Sequence, residues 1–150
     1  MCAPVSRVAD SLEPGQSPGL LLWRATLSWQ RGITSALKPL GLTHVQFVLL
    51  ISAWWLTQVA GERPSQRRIA EHANTDAMMT SQVIRTLADK GLLRRSTNPD
   101  DARARVIDVT SEGVELALRA VRVVEEADRL FFEAAGDHAA LMTILTALSR

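Results

Sequence analysis

The sequence is short of cysteine, of long hydrophobic runs and of net charge, and each shortage removes a class of protein. Cys2 is the single cysteine, so no internal disulfide can form and no companion thiol is present for a metal cluster. It stands in a segment expected to be loose, Met1 to Gln16, and is read as an incidental terminal residue rather than a redox sensor. No apolar stretch approaches the roughly 20 residues a membrane span needs, and the N-terminus lacks the charged-then-apolar pattern of a secretion signal. A cytoplasmic protein without membrane contact is therefore expected. No nucleophile with a paired base, no phosphate-cradling glycine loop and no metal-ligand spacing is visible, so neither an enzyme nor a cofactor is expected. The histidines His44, His72 and His138 fall on three separate segments, which does not suit a metal site, and His44 is read as a neutral surface residue. A formal net charge of +1 names no partner. What remains is a chain of 150 residues, 47% hydrophobic and 22% charged, enough for one globular domain with a real core.

The informative stretch runs from Ser65 to Thr110. After Pro64 a capping serine opens a short helix, Ser65 to Ala73, with Ile69, Ala70 and Ala73 on one face. Asn74 and Thr75 break it, and a longer helix restarts at Thr75 or Asp76 and runs to Gly91. In that helix Thr80, Val83, Ile84 and Leu87 recur at three- and four-residue spacing and face inward. Met78, Met79, Ser81, Gln82 and Arg85 then face outward. This surface carries adaptable hydrogen-bonders, one fork-shaped cation and two thioethers that are poor choices for a mere solvated face. Two short helices joined by a tight turn, the second with a readable polar face, suit DNA's major groove.

Beyond Gly91, Leu92 to Arg95 and Val106 to Val109 are strand-like, separated by turn formers from Ser96 to Asp101. The resulting hairpin holds Arg94, Arg95, Arg103 and Arg105, and arginine suits both bidentate phosphate binding and entry into a narrow minor groove. From Arg63 to Arg105 nine cations stand against five acids, whereas from Ser111 to Arg150 four cations stand against seven acids. Positive charge thus gathers on the segment that would touch phosphate. Ser65, Gln66 and Arg67, at the start of the first helix, are candidates for contact with the DNA backbone.

The flanks read as helices. Ser17-Pro18 is a cap followed by proline at the first helical position, and the helix to about Lys38 is apolar on several sides, which calls for more than one partner surface. Thr43 to Gln46 is a capping box opening a second helix that ends at Gly61, and its adjacent Trp54 and Trp55 cannot share a face. Thr110-Ser111-Glu112 caps a long helix to about Ala134, and Asp137 caps a last one with Leu141, Ile144, Leu145 and Leu148 on its apolar side. Pairing the terminal helices across a two-fold axis would bury them.

The run IAEHANTDAMMTSQVIRTLADKGLLRRSTNPDDARARVIDVTSEG, with LTHVQFVLL before it, resembles the MarR family, the multiple antibiotic resistance regulators. The resemblance covers roughly Ser17 to Arg150 and is most specific in the frame LADKGLLRR, DDARAR and VTSEG. It implies a mainly α fold with a small β-wing. A loose arm, residues 1–16, would precede a single domain, residues 17–150. Within that domain a winged helix-turn-helix lobe would span about residues 43–110, and helices from both termini, about 17–40 and 111–150, would form a dimerisation lobe. It also implies that Gly61 to Pro64 adds a small first strand to the wing sheet. Arg103 matches the family's wing arginine and Asp101, or Asp100, its supporting acid, through a salt bridge or turn hydrogen bonds; Arg105 is a further wing candidate. Where the family has small hydroxyl residues this chain has Met78 and Met79, a departure that suggests apolar contact with thymine methyls. The implied function is a homodimeric regulator, most simply a repressor, of a near-palindromic operator on double-stranded DNA. Release by a small aromatic or phenolic effector is also implied, in a crevice for which Trp23, Trp54 and Trp55 are candidates. The competing reading is a winged-helix protein-protein interaction module without DNA binding, which calls for an acidic or apolar reading face.

Overall fold

The computed structural model describes residues 15–149. Cys2 and most of the N-terminal arm lie outside the described residues, as does Arg150. Helix α1, Pro18–Leu37, begins where the Ser17 hydroxyl accepts the Leu20 N–H (3.3 Å), with Pro18 in the first turn where no donor is needed. Only Ile33 and Leu37 of this helix are buried, while Leu21, Leu22 and Trp23 are exposed. A single turn, Lys38–Leu40, and Gly41 in the left-handed region reverse the chain into α2, His44–Trp54. The capping box there is complete: Gln46 N–H donates to the Thr43 hydroxyl (3.3 Å) and the Gln46 side-chain oxygen accepts the Thr43 N–H (3.2 Å).

Helix α2 is the centre of the molecule. Phe47, Leu49, Leu50 and Ala53 on it, and Leu56 beyond it, are buried together with Ile33 and Leu37 of α1 and with Ile69, Ile84, Leu87, Leu93, Ile107, Ala117 and Ala120 from the elements that follow. A helix apolar all round is the one the others pack upon. Its last turn, Trp55–Val59, widens to π-helical pitch, where the Thr57 hydroxyl donates to the Ala53 carbonyl (2.8 Å) and competes with the main-chain ladder.

Helix α3, Gln66–Ala73, and helix α4, Ala77–Asp89, are joined by Asn74, whose φ of 52° places it in the left-handed region that asparagine tolerates. The turn is pinned from inside. The buried Thr80 hydroxyl donates to the Asp76 carbonyl (2.7 Å), so the Thr75 hydroxyl, 2.7 Å away, donates to Thr80. Strands β1, Leu93–Asn98, and β2, Asp101–Val109, form an antiparallel wing. The expected third strand at Gly61 to Pro64 does not form, because the sheet has two strands. Ile107 N–H donates to the Pro64 carbonyl (2.9 Å), but proline has no N–H to return a bond and the ladder stops there.

Helix α5, Ser111–Phe132, runs back along α1, and a short turn, Glu133–Ala135, leads to α6, His138–Leu148, capped by Asp137. None of the residues of α6 is buried. No single described helix is long and apolar enough to cross a membrane, and no described cluster of three His, Cys, Asp or Glu could hold a metal ion.

Candidate nucleic-acid interface

The exposed side of α4 follows from how its other side is fixed. Thr80, Ile84 and Leu87 are buried and Val83 is half-buried. A helix so anchored turns its remaining positions to solvent, and Met78 is 82% exposed and Met79 37%, with Gln82 and Arg85 exposed beside them. Ser81 is half-buried at the edge of this face rather than on it. The Asp76 carboxylate caps the helix by accepting the Met79 N–H (2.8 Å).

In the wing, β1 and β2 pair regularly from Leu93↔Val109 to Thr97↔Arg105, and the register then jumps so that Asn98 meets Asp101. Residues 102–104 have no partner across the resulting bulge, and Arg103 within it is exposed. Two acceptors hold that shape: Asn98 Oδ1 takes the Asp100 N–H and Asp101 Oδ1 takes the Arg103 N–H, each at 3.0 Å. Asp101 therefore supports the wing by a turn hydrogen bond to the backbone, not by a salt bridge to the Arg103 guanidinium. Among the described residues Arg85, Arg95, Arg103 and Arg105 pair with no carboxylate, whereas Arg94 lies 3.8 Å from Asp108.

The three candidates at the start of α3 are engaged in different ways. The Ser65 hydroxyl accepts the Arg68 N–H (3.2 Å) as the helix cap, and Gln66 Oε1 accepts from Arg95 Nη2 (3.4 Å). Arg67 is exposed and pairs with Glu71 (2.9 Å), a contact that water weakens. Arg68, its neighbour, is held by two hydrogen bonds to Glu62 at 2.9 and 3.0 Å. The hydrogen bond from Arg68 holds the Glu62 carboxyl below the usual carboxylate range.

A crevice of about 460 Å³ opens beside the reading lobe, lined by Gln30 and Thr34 of α1, Thr43, His44, Val45 and Val48 at the start of α2, and Thr75 of the turn. The candidate tryptophans are not among its lining residues. Trp23 is 62% exposed near the start of α1, Trp54 packs half-buried on the core, and Trp55, 42% exposed, stacks on His72 with ring centres 5.1 Å apart. Behind the lining residue His44 stands Trp29, edge-on to it at 5.0 Å, with its indole N–H donating to Asp128 Oδ1 (2.7 Å). His44 is thus half-buried, not the surface residue expected from sequence. Burial pushes its pKa below the ordinary histidine value, and the charge of Asp128 opposes that shift only in part. Neither His44 nor Trp29 carries a local signal for this role, because the contact joins α1, α2 and α5.

A helix-turn-helix with an exposed second helix, followed by a hairpin that projects an unpaired arginine, defines a winged helix-turn-helix regulator. Comparison with known proteins gives the same class. The family model described as MarR family matches residues 42–104. The chain is 46% identical over 122 residues to an uncharacterized HTH-type transcriptional regulator, YdcH, of Bacillus subtilis, covering 81% of this chain and 82% of that protein. It is 34% identical over 110 residues to the HTH-type transcriptional repressor Rv2887 of Mycobacterium tuberculosis, covering 73% and 76%. A solved structure of Rv2887 with salicylic acid superposes with a TM-score of 0.67 at 30% identity, over 88% of this chain and 96% of that one. The repressor CouR, solved on a 23-mer DNA duplex, gives a TM-score of 0.80 at 25% identity over 93% and 97%; a further CouR structure is from Rhodococcus jostii RHA1. This chain belongs to the MarR family of transcriptional regulators.

Proposed function

We propose that the chain acts as a cytoplasmic homodimeric repressor, with Met78, Met79, Gln82 and Arg85 reading base edges in the major groove and Ser81 at the margin of that contact. Arg103, held out by the Asp101 turn, and Arg105 serve the wing, while Ser65, Gln66 and Arg67 meet the backbone. The observation that carries this reading is the exposed α4 face, where Met78, Gln82 and Arg85 stand in one stripe that meets an acid only at its C-terminal end, Asp89, on the same lobe as an arginine free of any described carboxylate. An interaction module without DNA binding would call for an acidic or apolar face there, and Gln82 and Arg85 make it neither.

The chain divides functionally into a reading lobe, residues 43–110, and terminal helices, residues 17–40 and 111–150, that pair two copies. Support for pairing comes from Leu21, Leu22 and Trp23 on α1 and Met142, Ile144, Leu145 and Leu148 on α6, all exposed apolar side chains on helices at the two ends of the chain. Two-fold symmetry then calls for a near-palindromic site. A small aromatic or phenolic effector would act from the crevice at His44 by favouring a separation of reading lobes that does not fit DNA. A relative solved with salicylic acid, another solved with p-coumaroyl-CoA and a third whose DNA binding is regulated by 6-hydroxynicotinic acid support an aromatic ligand. The test combines sedimentation with selection from a random duplex pool. A dimer that enriches an inverted repeat is expected, and a stable monomer or an unsymmetrical motif would refute the proposal.

A further inference from the structure

The wing carries a second pair of arginines, set apart from its tip. Arg95 stands opposite Ile107 and Thr97 opposite Arg105, so by two-residue alternation these four side chains share one face of the hairpin. That face closes on the first turn of α3, where Ile107 N–H meets the Pro64 carbonyl (2.9 Å) and Arg95 Nη2 donates to Gln66 Oε1 (3.4 Å). Between them lies a concave pocket of about 340 Å³ lined by Gln66, Arg95, Arg105 and Ile107. No carboxylate lines it, and neither arginine has an acid partner among the described residues, in contrast to Arg67, Arg68, Arg94 and Arg129. Two guanidinium groups converging without a counter-ion repel each other, and an anion between them turns that repulsion into charge-assisted hydrogen bonding.

We propose that this pocket seats one DNA phosphodiester per protomer, with Gln66 holding Arg95 in position. Because Gln66 Oε1 is taken by Arg95, its amide N–H groups are left to donate to the same phosphate. The proposal rests on the DNA-binding reading above and adds to it a backbone clamp separate from Arg103.

Gln66→Glu is the discriminating variant. A carboxylate in the first turn of a helix favours the fold, yet here it pairs with Arg95 and places negative charge in the seat. Binding is read by anisotropy across a salt series on mixed-sequence duplex and on the duplex the protein itself selects. Gln66→Glu, Arg95→Ala and Arg105→Ala should each keep the wild-type unfolding temperature or raise it, and should lower the salt slope by about 1 per seat lost, so about 2 per dimer, on both duplexes. Single methylphosphonate substitutions scanned along the selected duplex should weaken the wild type at one phosphate per half-site, and Arg95→Ala should be indifferent at that phosphate. Wild-type slopes in all three variants, or an unchanged methylphosphonate profile in Arg95→Ala while Arg103→Ala still weakens binding, would overturn the seat and leave DNA binding intact. No duplex bound by the wild type would end both.

Discussion

Gly113, the third residue of α5, should be intolerant of even one added carbon. A Cβ built there runs into the Leu92 carbonyl oxygen and lies 2.8 Å from Val109 Cγ1. The carbonyl cannot step aside freely, since it already accepts the Thr110 N–H (3.1 Å) and lies 3.2 Å from the Thr110 hydroxyl that caps α5. Forcing the extra volume costs about 1–3 kcal/mol by overpacking, and loosening one of those hydrogen bonds adds about 1 kcal/mol. Gly113→Ala should therefore lose roughly 2–4 kcal/mol, a large share of the about 5–15 kcal/mol that holds a domain together, and its Tm should fall on the order of 10 °C for a chain of this size. Gly32→Ala makes the same chemical change in the middle of α1, where nothing stands within 4 Å of the new carbon. It should be neutral or stabilising by up to about 1 kcal/mol, because alanine suits a helix interior better than glycine. Urea and thermal unfolding at one fixed protein concentration compare the pair. A Gly113→Ala protein as stable as the wild type would refute the close approach of α5 to the base of the wing, and with it the rigid link between terminal helices and reading lobe.

Arg103→Ala should weaken binding to all duplexes together and reduce the salt slope, while stability stays within about 0.5 kcal/mol, as expected for an exposed residue without a partner; unchanged binding would remove the wing tip from the interface. Gln82→Ala should alter the motif returned by selection rather than the salt slope, and an identical motif would deny base reading at that position. His44 has a folded-state pKa lowered below 6.5 by burial, so its contribution to stability is complete above that pH and is lost as pH falls toward and through the folded value. His44→Gln should flatten the dependence of unfolding free energy on pH in that window, and a slope identical to the wild type would contradict the half-buried, neutral imidazole.

Local chemistry was legible in the sequence wherever a single element decides it. Ser17, Thr43, Ser65, Asp76, Thr110 and Asp137 all cap helices through their side chains, because a cap needs only a short polar side chain and the next three residues. The inward set of α4 follows equally from spacing. Features that depend on distant partners were not legible. The Arg95–Gln66 contact spans 29 residues and the Trp29–Asp128 bond spans 99, so nothing beside Arg95 in the sequence distinguishes it from Arg94, and nothing beside His44 reveals its burial. Which of Asp100 and Asp101 supports the wing depended on a bulge whose place no composition reveals. The π-helical turn after Trp54 and the missing third strand are likewise outcomes of packing around α2 and of one proline facing Ile107.

The most direct test is a hydroxyl-radical footprint of the wild-type protein on the duplex it selects. The account predicts two protected tracts related by a dyad, with centres about one helical turn, 10–10.5 base pairs, or a multiple of it apart. It also predicts that adding the Arg85→Ala and Gln82→Ala changes erases both tracts together. A single unsymmetrical tract, or protection that survives those changes, would contradict a two-fold reader built on the exposed face of α4.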